Sequence, residues 1–138
     1  MYGTLDISTS GMIAQRTRMA AIAANIANAE TVLDAQGNVN PFRKRMVMFT
    51  PGDPGASTRA GQTMGVHVSS IESDPNAVRL RYMPGSEYAD ENGYVPYPDI
   101  SPAMEQINAM QAARSYEANV VAAETTKQMM AQALRLLA

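Results

Sequence analysis

The stretch that decides the fold is residues 102–138, PAMEQINAMQAARSYEANVVAAETTKQMMAQALRLLA. After Pro102 it contains neither Gly nor Pro, and strong helix formers dominate it. Ser101 suits the N-cap and Pro102 the first helical position, so a helix is predicted over 102–138. Its apolar residues form two stripes, whereas a helix packed on one partner needs only one. The stripes are Ala113, Val120, Ala123, Met130, Leu134 and Leu137, and Met104, Ile107, Ala118, Ala122, Met129, Ala133 and Leu136.

A second helix is predicted near the N-terminus, from Thr4 to Glu30. Two series of residues recur there at every seventh position, as in helices that pack along a seam. Gly11 lies inside the pattern and costs about 1 kcal/mol relative to Ala. Residues 20–29 are rich in Ala, and small side chains let helix axes approach closely. The first series is Leu5, Met12, Met19 and Ile26, and the second is Ser8, Gln15, Ile22 and Ala29.

The segment between the helices, residues 31–100, loses the helical period and contains most of the Pro and Gly. Three runs, 45–49, 66–71 and 78–82, have β-strand character, and the last two alternate apolar and polar residues. Turn residues punctuate the segment. Residues 50–63, rich in Gly, Ser, Thr and Pro, are predicted to be an exposed loop.

These segments predict an α+β fold, in which long antiparallel, coiled-coil-like N- and C-terminal helices flank an inserted small antiparallel β domain. The terminal-helix domain would comprise residues 1–30 and 101–138, and the β domain with long loops residues 31–100. A helix over 102–138 is roughly 55 Å long, whereas a domain of roughly 70 residues is about 25–30 Å across. Apolar helix surface left in water costs about 25 cal/mol per Å². We therefore expect other chains to cover the surplus on assembly.

Composition argues against several classes of function. The net charge of −2 opposes a general nucleic-acid binder, which needs a basic excess. The absence of Cys excludes disulfides, thiolate catalysis and zinc–thiolate sites. No apolar run approaches the ~20 residues of a membrane span, and Gln15, Arg16 and Arg18 interrupt the first one, so no cleaved signal peptide is expected. The 11 Met residues fit either an irregular core or a helix seam that repacks between partners.

Three polar features are candidates for chemistry, and each has a simpler interpretation. His67 is the single His, and no nucleophile and carboxylate can be placed beside it as a triad. Residues 90–93 resemble part of a calcium loop, but its first and twelfth ligands would be Tyr88 and Asp99, so a tight Asn-Gly turn fits better. The basic cluster 43–45 predicts a solvated edge or a salt bridge to a neighbouring subunit. No enzyme activity, cofactor or metal site is predicted.

Two motifs in the N-terminal helix resemble a known family. Ser-Gly-Met-Ile-Ala-Gln-Arg at 10–16 and Asn-Ile-Ala-Asn-Ala-Glu-Thr at 25–31 resemble the signature of flagellar axial proteins, which include rod, hook and hook-associated proteins. That family usually has two adjacent Asn before Ile-Ala-Asn, whereas the first is Ala24 here. Residues 74–85, 89–100 and 113–120 resemble a proximal rod member of the family. The resemblance extends over about residues 5–135.

The resemblance implies a structural subunit of the proximal rod of the bacterial flagellar basal body. Such subunits would assemble by helix packing into a hollow helical drive shaft that transmits motor torque and passes exported subunits. The chain would leave through the flagellar type III apparatus without signal cleavage and lie in the periplasm-spanning rod. Its partners would be copies of itself, other rod proteins of the FlgB, FlgF and FlgG type, and the export-gate/rod adaptor. Nucleic acid, membrane insertion and a small-molecule substrate are not expected.

We predict that the assembly interface combines apolar residues of both helices with polar residues that fix the register between subunits. Asn25 and Asn28 could be simple C-cap residues, but the family resemblance favours a role for them in the turn from the helix into the β domain. The apolar set is Leu5, Met12, Met19, Ile22, Ile26, Val120, Val121, Met130, Leu134 and Leu137. The polar residues predicted to fix the register, rather than to form a solvated face, are Arg114, Tyr116, Glu117 and Asn119, and the interface also includes Asn25 and Asn28.

Two alternative functions remain. The first is another flagellar axial component, such as a distal rod protein or adaptor; a hook segment would need larger inserted domains. The second is an unrelated soluble helical adaptor or small enzyme. Circular dichroism of the isolated chain separates a rod subunit from the soluble adaptor or enzyme, because a rod subunit should have much less helix alone than its termini could form, whereas a fully helical, stable monomer would favour the adaptor or enzyme.

Overall fold

A computed structural model of the protein describes residues 2–137. Long helices at both ends of the chain flank a small antiparallel β region, which confirms the predicted α+β fold. The elements are α1 (Tyr2–Ala27), β1 (Arg45–Pro51), α2 (Arg59–Met64), β2 (Val66–Ser73), β3 (Val78–Tyr82), β4 (Tyr94–Pro98) and α3 (Pro102–Leu137). None of the helices in this described range is long and apolar enough to cross a lipid bilayer.

The chain forms two compact units, and α1, β1, β2 and α3 each contribute residues to both. Unit 1 comprises Met1–Met19, Val47–Ile71 and Met110–Ala138, and unit 2 comprises Ala20–Met46 and Glu72–Ala109. The division into domains at residues 30 and 100 stays a prediction.

In unit 1, α1 and α3 run antiparallel. Arg18 Nη2 donates to Gln111 Oε1 at 3.2 Å, and Gly11 packs against Asn119. A Cβ atom at Gly11 would lie 2.8 Å from Asn119 Oδ1, which is too close for an unstrained contact. Gly11 is therefore present because it lets the two helices approach, and this packing outweighs its poor helix propensity.

The prediction of an exposed loop over residues 50–63 is wrong, because α2 occupies its last part. Thr58 caps α2 from an extended backbone, and its hydroxyl accepts a hydrogen bond from the Gly61 N–H at 3.2 Å. The same hydroxyl donates to Asp6 Oδ2 at 2.6 Å, which holds the cap against α1. Gly61 is buried where a Cβ would lie 2.7 Å from the Asp6 Cβ. This packing on α1 selects a helix that local composition does not favour.

The β region consists of two separate two-stranded sheets, β1–β2 and β3–β4. The three predicted strands are present, with β1 and β2 each two residues longer at their C-terminal ends. The sequence reasoning missed β4 because Pro96 and Pro98 argue against a strand. The predicted Asn-Gly turn precedes β4 and is confirmed, since Gly93 has a φ of 81°.

Candidate assembly interface

The side of α3 that is buried within the chain carries small and polar residues. Ala112 is fully buried and Thr126 is nearly so, while Asn119 is half-buried. Together with Glu105 and Ala133, these residues recur at every seventh position and form a coiled-coil-like stripe. The buried residues of α1 in unit 1 are similarly small: Ser8, Ser10, Gly11 and Ala14. In unit 1, the residues of α1 and α3 that are buried within the chain are therefore those with little apolar surface.

Most of the large apolar residues of α3 are exposed and lie outside this stripe. Ile107, Val121 and Leu134 expose 53%, 60% and 66% of their surface, respectively. Met104, Met110 and Met129 are also more than half exposed. A helix in a self-sufficient fold would bury these residues and expose the small ones. Much of the apolar surface of α3 is therefore available to other chains.

A buried carboxylate joins three segments of unit 2. Glu105, in the first turn of α3, is only 1% exposed. Its Oε1 lies 3.0 Å from Lys44 Nζ and accepts a bond from Asn108 Nδ2 at 3.2 Å. Its Oε2 accepts a bond from Asn25 Nδ2, in α1, at 2.9 Å. We call Asn25, Lys44, Glu105 and Asn108 the Glu105 cluster.

The Glu105 carboxyl is charged at neutral pH. Burial by itself raises the pKa of Glu105, because it disfavours the charged form. The hydrogen bonds from Asn25, Lys44 and Asn108, together with the charge of Lys44, outweigh that effect and lower the pKa below its ordinary value of 4.5. Lys44 was expected to face solvent or to bind a neighbouring subunit. That expectation is wrong for Lys44, because its partner is Glu105 of the same chain.

Polar residues of the N-terminal signature bind the backbone of the strands. In unit 1, Ser10 Oγ accepts a bond from Val66 N at 3.0 Å, at the start of β2. In unit 2, Asn25 Oδ1 accepts from Arg45 N at 2.8 Å, and Asn25 Nδ2 donates to Arg45 O at 2.9 Å. Asn25 therefore connects α1 to the start of β1, as the second interpretation proposed. These contacts give a structural reason for polar residues inside an otherwise apolar motif.

Asn28 lies just after α1 and caps its end. Its Nδ2 donates to Ala24 O at 2.9 Å, and its Oδ1 accepts from Thr31 Oγ1 at 3.2 Å. These bonds satisfy a terminal helix carbonyl and hold the turn that follows. For Asn28 the C-cap interpretation fits the geometry.

The remaining residues predicted for the interface differ in exposure within the chain. Ile22 is buried, while Val121, Leu134, Arg114 and Glu117 are exposed. The half-buried residues are Leu5, Met12, Met19, Ile26, Tyr116, Asn119, Val120 and Met130. The side chain of Leu137 lies outside the described part of the chain.

His67 has a local structural contact. Its Nδ1 donates to Gly52 O at 2.5 Å, within unit 1. Over residues 2–137, no group of three or more His, Asp or Glu side chains is arranged to hold a metal ion.

The sequence reasoning missed Glu105 and Ser10 as contact residues. In the sequence, Glu105 is simply a carboxylate near the positive start of a helix, and Ser10 is one residue of the N-terminal motif. One signal was available for Glu105, because it recurs at multiples of seven residues with Ala112 and Thr126, which are buried. Pairing Glu105 with Lys44, which lies far away in the sequence, required the tertiary structure.

Comparison with known proteins identifies the class. The family described as "Flagella basal body rod protein" matches residues 5–32, and "Flagellar basal body rod FlgEFG protein C-terminal" matches residues 91–136. These matches cover much of both terminal helices and place the chain in the class of flagellar basal-body rod proteins.

Full-length relatives make the assignment narrower. "Flagellar basal-body rod protein FlgC" of Yersinia enterocolitica is 39% identical over 137 residues, covering 99% of this chain and 97% of the relative. The protein of the same name from Salmonella typhimurium is 38% identical with the same coverage. That from Bacillus subtilis is 34% identical over 145 residues, covering 98% of this chain and 97% of the relative. The chain belongs to the FlgC family of flagellar basal-body rod proteins.

Proposed function

We propose that this chain is a structural subunit of the proximal rod, in which the exposed apolar sides of its helices pack against neighbouring subunits. Membership of the FlgC family supports a structural role in the flagellar basal-body rod. We further propose that the assembled subunits form a hollow helical drive shaft, which transmits torque and lets exported subunits pass.

The distribution of side chains on α3 is the observation that carries the proposal. Ala112 and Thr126 are buried within the chain, while Val121 and Leu134 are more than half exposed. At about 25 cal/mol per Å², apolar surface of this extent strongly favours association. Neighbouring helices could cover it as a continuous seam, and a rigid seam between many chains would transmit torque.

The proposed partners are further copies of the chain, rod proteins of the FlgB, FlgF and FlgG type, and the export-gate/rod adaptor. The proposed interface contains the predicted apolar residues and the polar residues of α3. Within that set, Asn119 already packs on Gly11 of its own chain. Its part in fixing register would therefore act by shaping the seam rather than by reaching far into a neighbour.

A substitution on the exposed side of α3 tests the proposal. Val121 is 60% exposed, so Val121→Glu should leave the isolated chain unchanged but bury a charge on assembly. We expect the wild-type chain to restore swimming to a strain lacking its gene, and Val121→Glu to fail. Val121→Met, which keeps the site apolar, is the matched control and should swim.

Two measurements complete this experiment. Circular dichroism should give the same spectrum for the wild-type and Val121→Glu chains, which separates assembly from folding. Electron cryomicroscopy of basal bodies should place the chain in the proximal rod. Normal swimming with both Val121→Glu and Leu134→Glu would count against the helix interface.

A further inference from the structure

The β3–β4 hairpin of unit 2 has two outer edges of opposite character. Its register pairs Leu80 with Pro96 and Tyr82 with Tyr94. Met83 N donates to Gly93 O at one end, and Asp99 N donates to Ala77 O at the other. Antiparallel pairs alternate between hydrogen-bonded and non-hydrogen-bonded. The backbone groups of Leu80 and Tyr82 therefore point away from β4, toward the outer edge of β3.

The outer edge of β4 is closed to another strand. Pro96 and Pro98 have no N–H to donate. Tyr94 is already engaged, since its N–H donates to Asp90 Oδ1 at 2.8 Å and its C=O accepts from Asp90 N at 2.8 Å. An incoming strand would find no free donor along β4.

The outer edge of β3 is open. Within residues 2–137, no backbone hydrogen bond is found for the outward N–H groups of Leu80 and Tyr82. Their side chains are 61% and 64% exposed, and Arg79 and Arg81 on the other face are also exposed. Arg81 stacks on Tyr97 at 5.6 Å, which holds its charge beside the strand. A two-stranded sheet is only marginally stable alone, so a third strand would add stability.

We propose that the outer edge of β3 binds an extended acidic segment of a neighbouring rod subunit, which adds to the hairpin as a third strand. This inference rests on the proposed function for the identity of the neighbour, but it adds a second interface away from the helix seam. Main-chain hydrogen bonds to Leu80 and Tyr82 would supply affinity. Acidic residues opposite Arg79 and Arg81 would supply specificity, because opposite charges across a strand pair stabilise it.

A second copy of β3 is the less favourable occupant. Antiparallel pairing of two β3 strands centred on Leu80 would place Arg79 of each copy opposite Arg81 of the other. Like charges directly opposite are destabilising, and charged residues on an edge strand are a common protection against self-pairing. The same charges favour an acidic strand.

Leu80→Pro tests the edge with little change to the hairpin. It removes the outward N–H that the proposal uses, and the facing residue in β4 is already Pro96. Leu80→Val keeps the N–H and is the matched control. In a strain lacking the gene, we expect the wild type and Leu80→Val to swim and Leu80→Pro to lose swimming. Normal swimming with Leu80→Pro would overturn the proposal, whereas failure of the wild type would overturn the proposed function instead.

Hydrogen–deuterium exchange gives a test that does not depend on a variant. In the isolated chain, the amides of Arg79 and Arg81 should exchange slowly and those of Leu80 and Tyr82 rapidly. In purified basal bodies, all four should exchange slowly. Rapid exchange of Leu80 and Tyr82 in basal bodies would show that no strand occupies the edge.

Charge substitutions test the chemistry of the occupant. The double variant Arg79→Glu/Arg81→Glu should lose swimming, while Arg79→Lys/Arg81→Lys, which keeps both charges, should retain it. If the Glu pair swims as well as the Lys pair, the occupant is not acidic and that part of the proposal is wrong. A disulfide-linked dimer formed by Leu80→Cys in basal bodies of this Cys-free chain would identify a second copy instead and likewise refute it.

Discussion

Removing the carboxylate of the Glu105 cluster should destabilise the chain by about 2–3 kcal/mol. Breaking a fully buried ion pair from one side typically costs about 3–5 kcal/mol. The Lys44 side chain is 32% exposed, so it regains part of its hydration, which reduces the cost. Asn25 keeps its bonds to the Arg45 backbone and loses a single acceptor, worth about 1 kcal/mol. Glu105→Ala should therefore be much more harmful than an ordinary surface substitution.

Urea unfolding of the full chain, followed by circular dichroism and by the fluorescence of its 6 Tyr, measures this loss. With a slope of about 2 kcal/mol per M, the midpoint should fall by roughly 1–1.5 M. Glu124→Ala removes an exposed carboxylate from the same helix and should shift the midpoint by less than about 0.3 M. If Glu105→Ala behaves like Glu124→Ala, the buried cluster does not stabilise the fold and the reasoning is wrong.

Four further outcomes are expected. Folding lowers the pKa of Glu105, so the ionised carboxylate should contribute its full stabilisation above the unfolded pKa of 4.5 and lose it as the pH falls through the folded pKa. The urea midpoint of the wild type should therefore fall more steeply with decreasing pH than that of Glu105→Gln. Gly11→Ala should lower stability by about 1 kcal/mol despite better helix propensity, and adding Asn119→Ala should restore it in the same unfolding assay. Ile26→Asp should block rod assembly and swimming, because a charge in a dry seam costs several kcal/mol. Gly93→Ala should cost about 1–2 kcal/mol, measured by thermal unfolding, because φ is 81° there.

The long elements were predictable because local signals agree along them. Ser101 and Pro102 mark the start of α3, and an uninterrupted run of helix formers continues it. In α1 the second heptad series contains Ser8 and Ile22, which are buried. The buried side of α3 was not predictable, because its predicted stripes give weight to large apolar residues, whereas the chain buries Ala112 and Thr126 there. α2 depended on the contact of its cap with Asp6, which no local pattern contains.

On α3, the arrangement of small residues inside and large residues outside has a physical reason in the proposed assembly. The chain needs only enough internal contact to fix the path of its helices, and polar anchors achieve this at little cost in apolar surface. Ser10 fixes β2 to α1, and Asn25 and Glu105 do the same for the segments of unit 2. Val121 and Leu134 remain exposed, and in the proposed assembly their burial between subunits would strengthen the polymer instead of the monomer. Because hydrogen bonds are directional, in the proposed assembly the anchors would also define the geometry in which those apolar faces meet the next subunit.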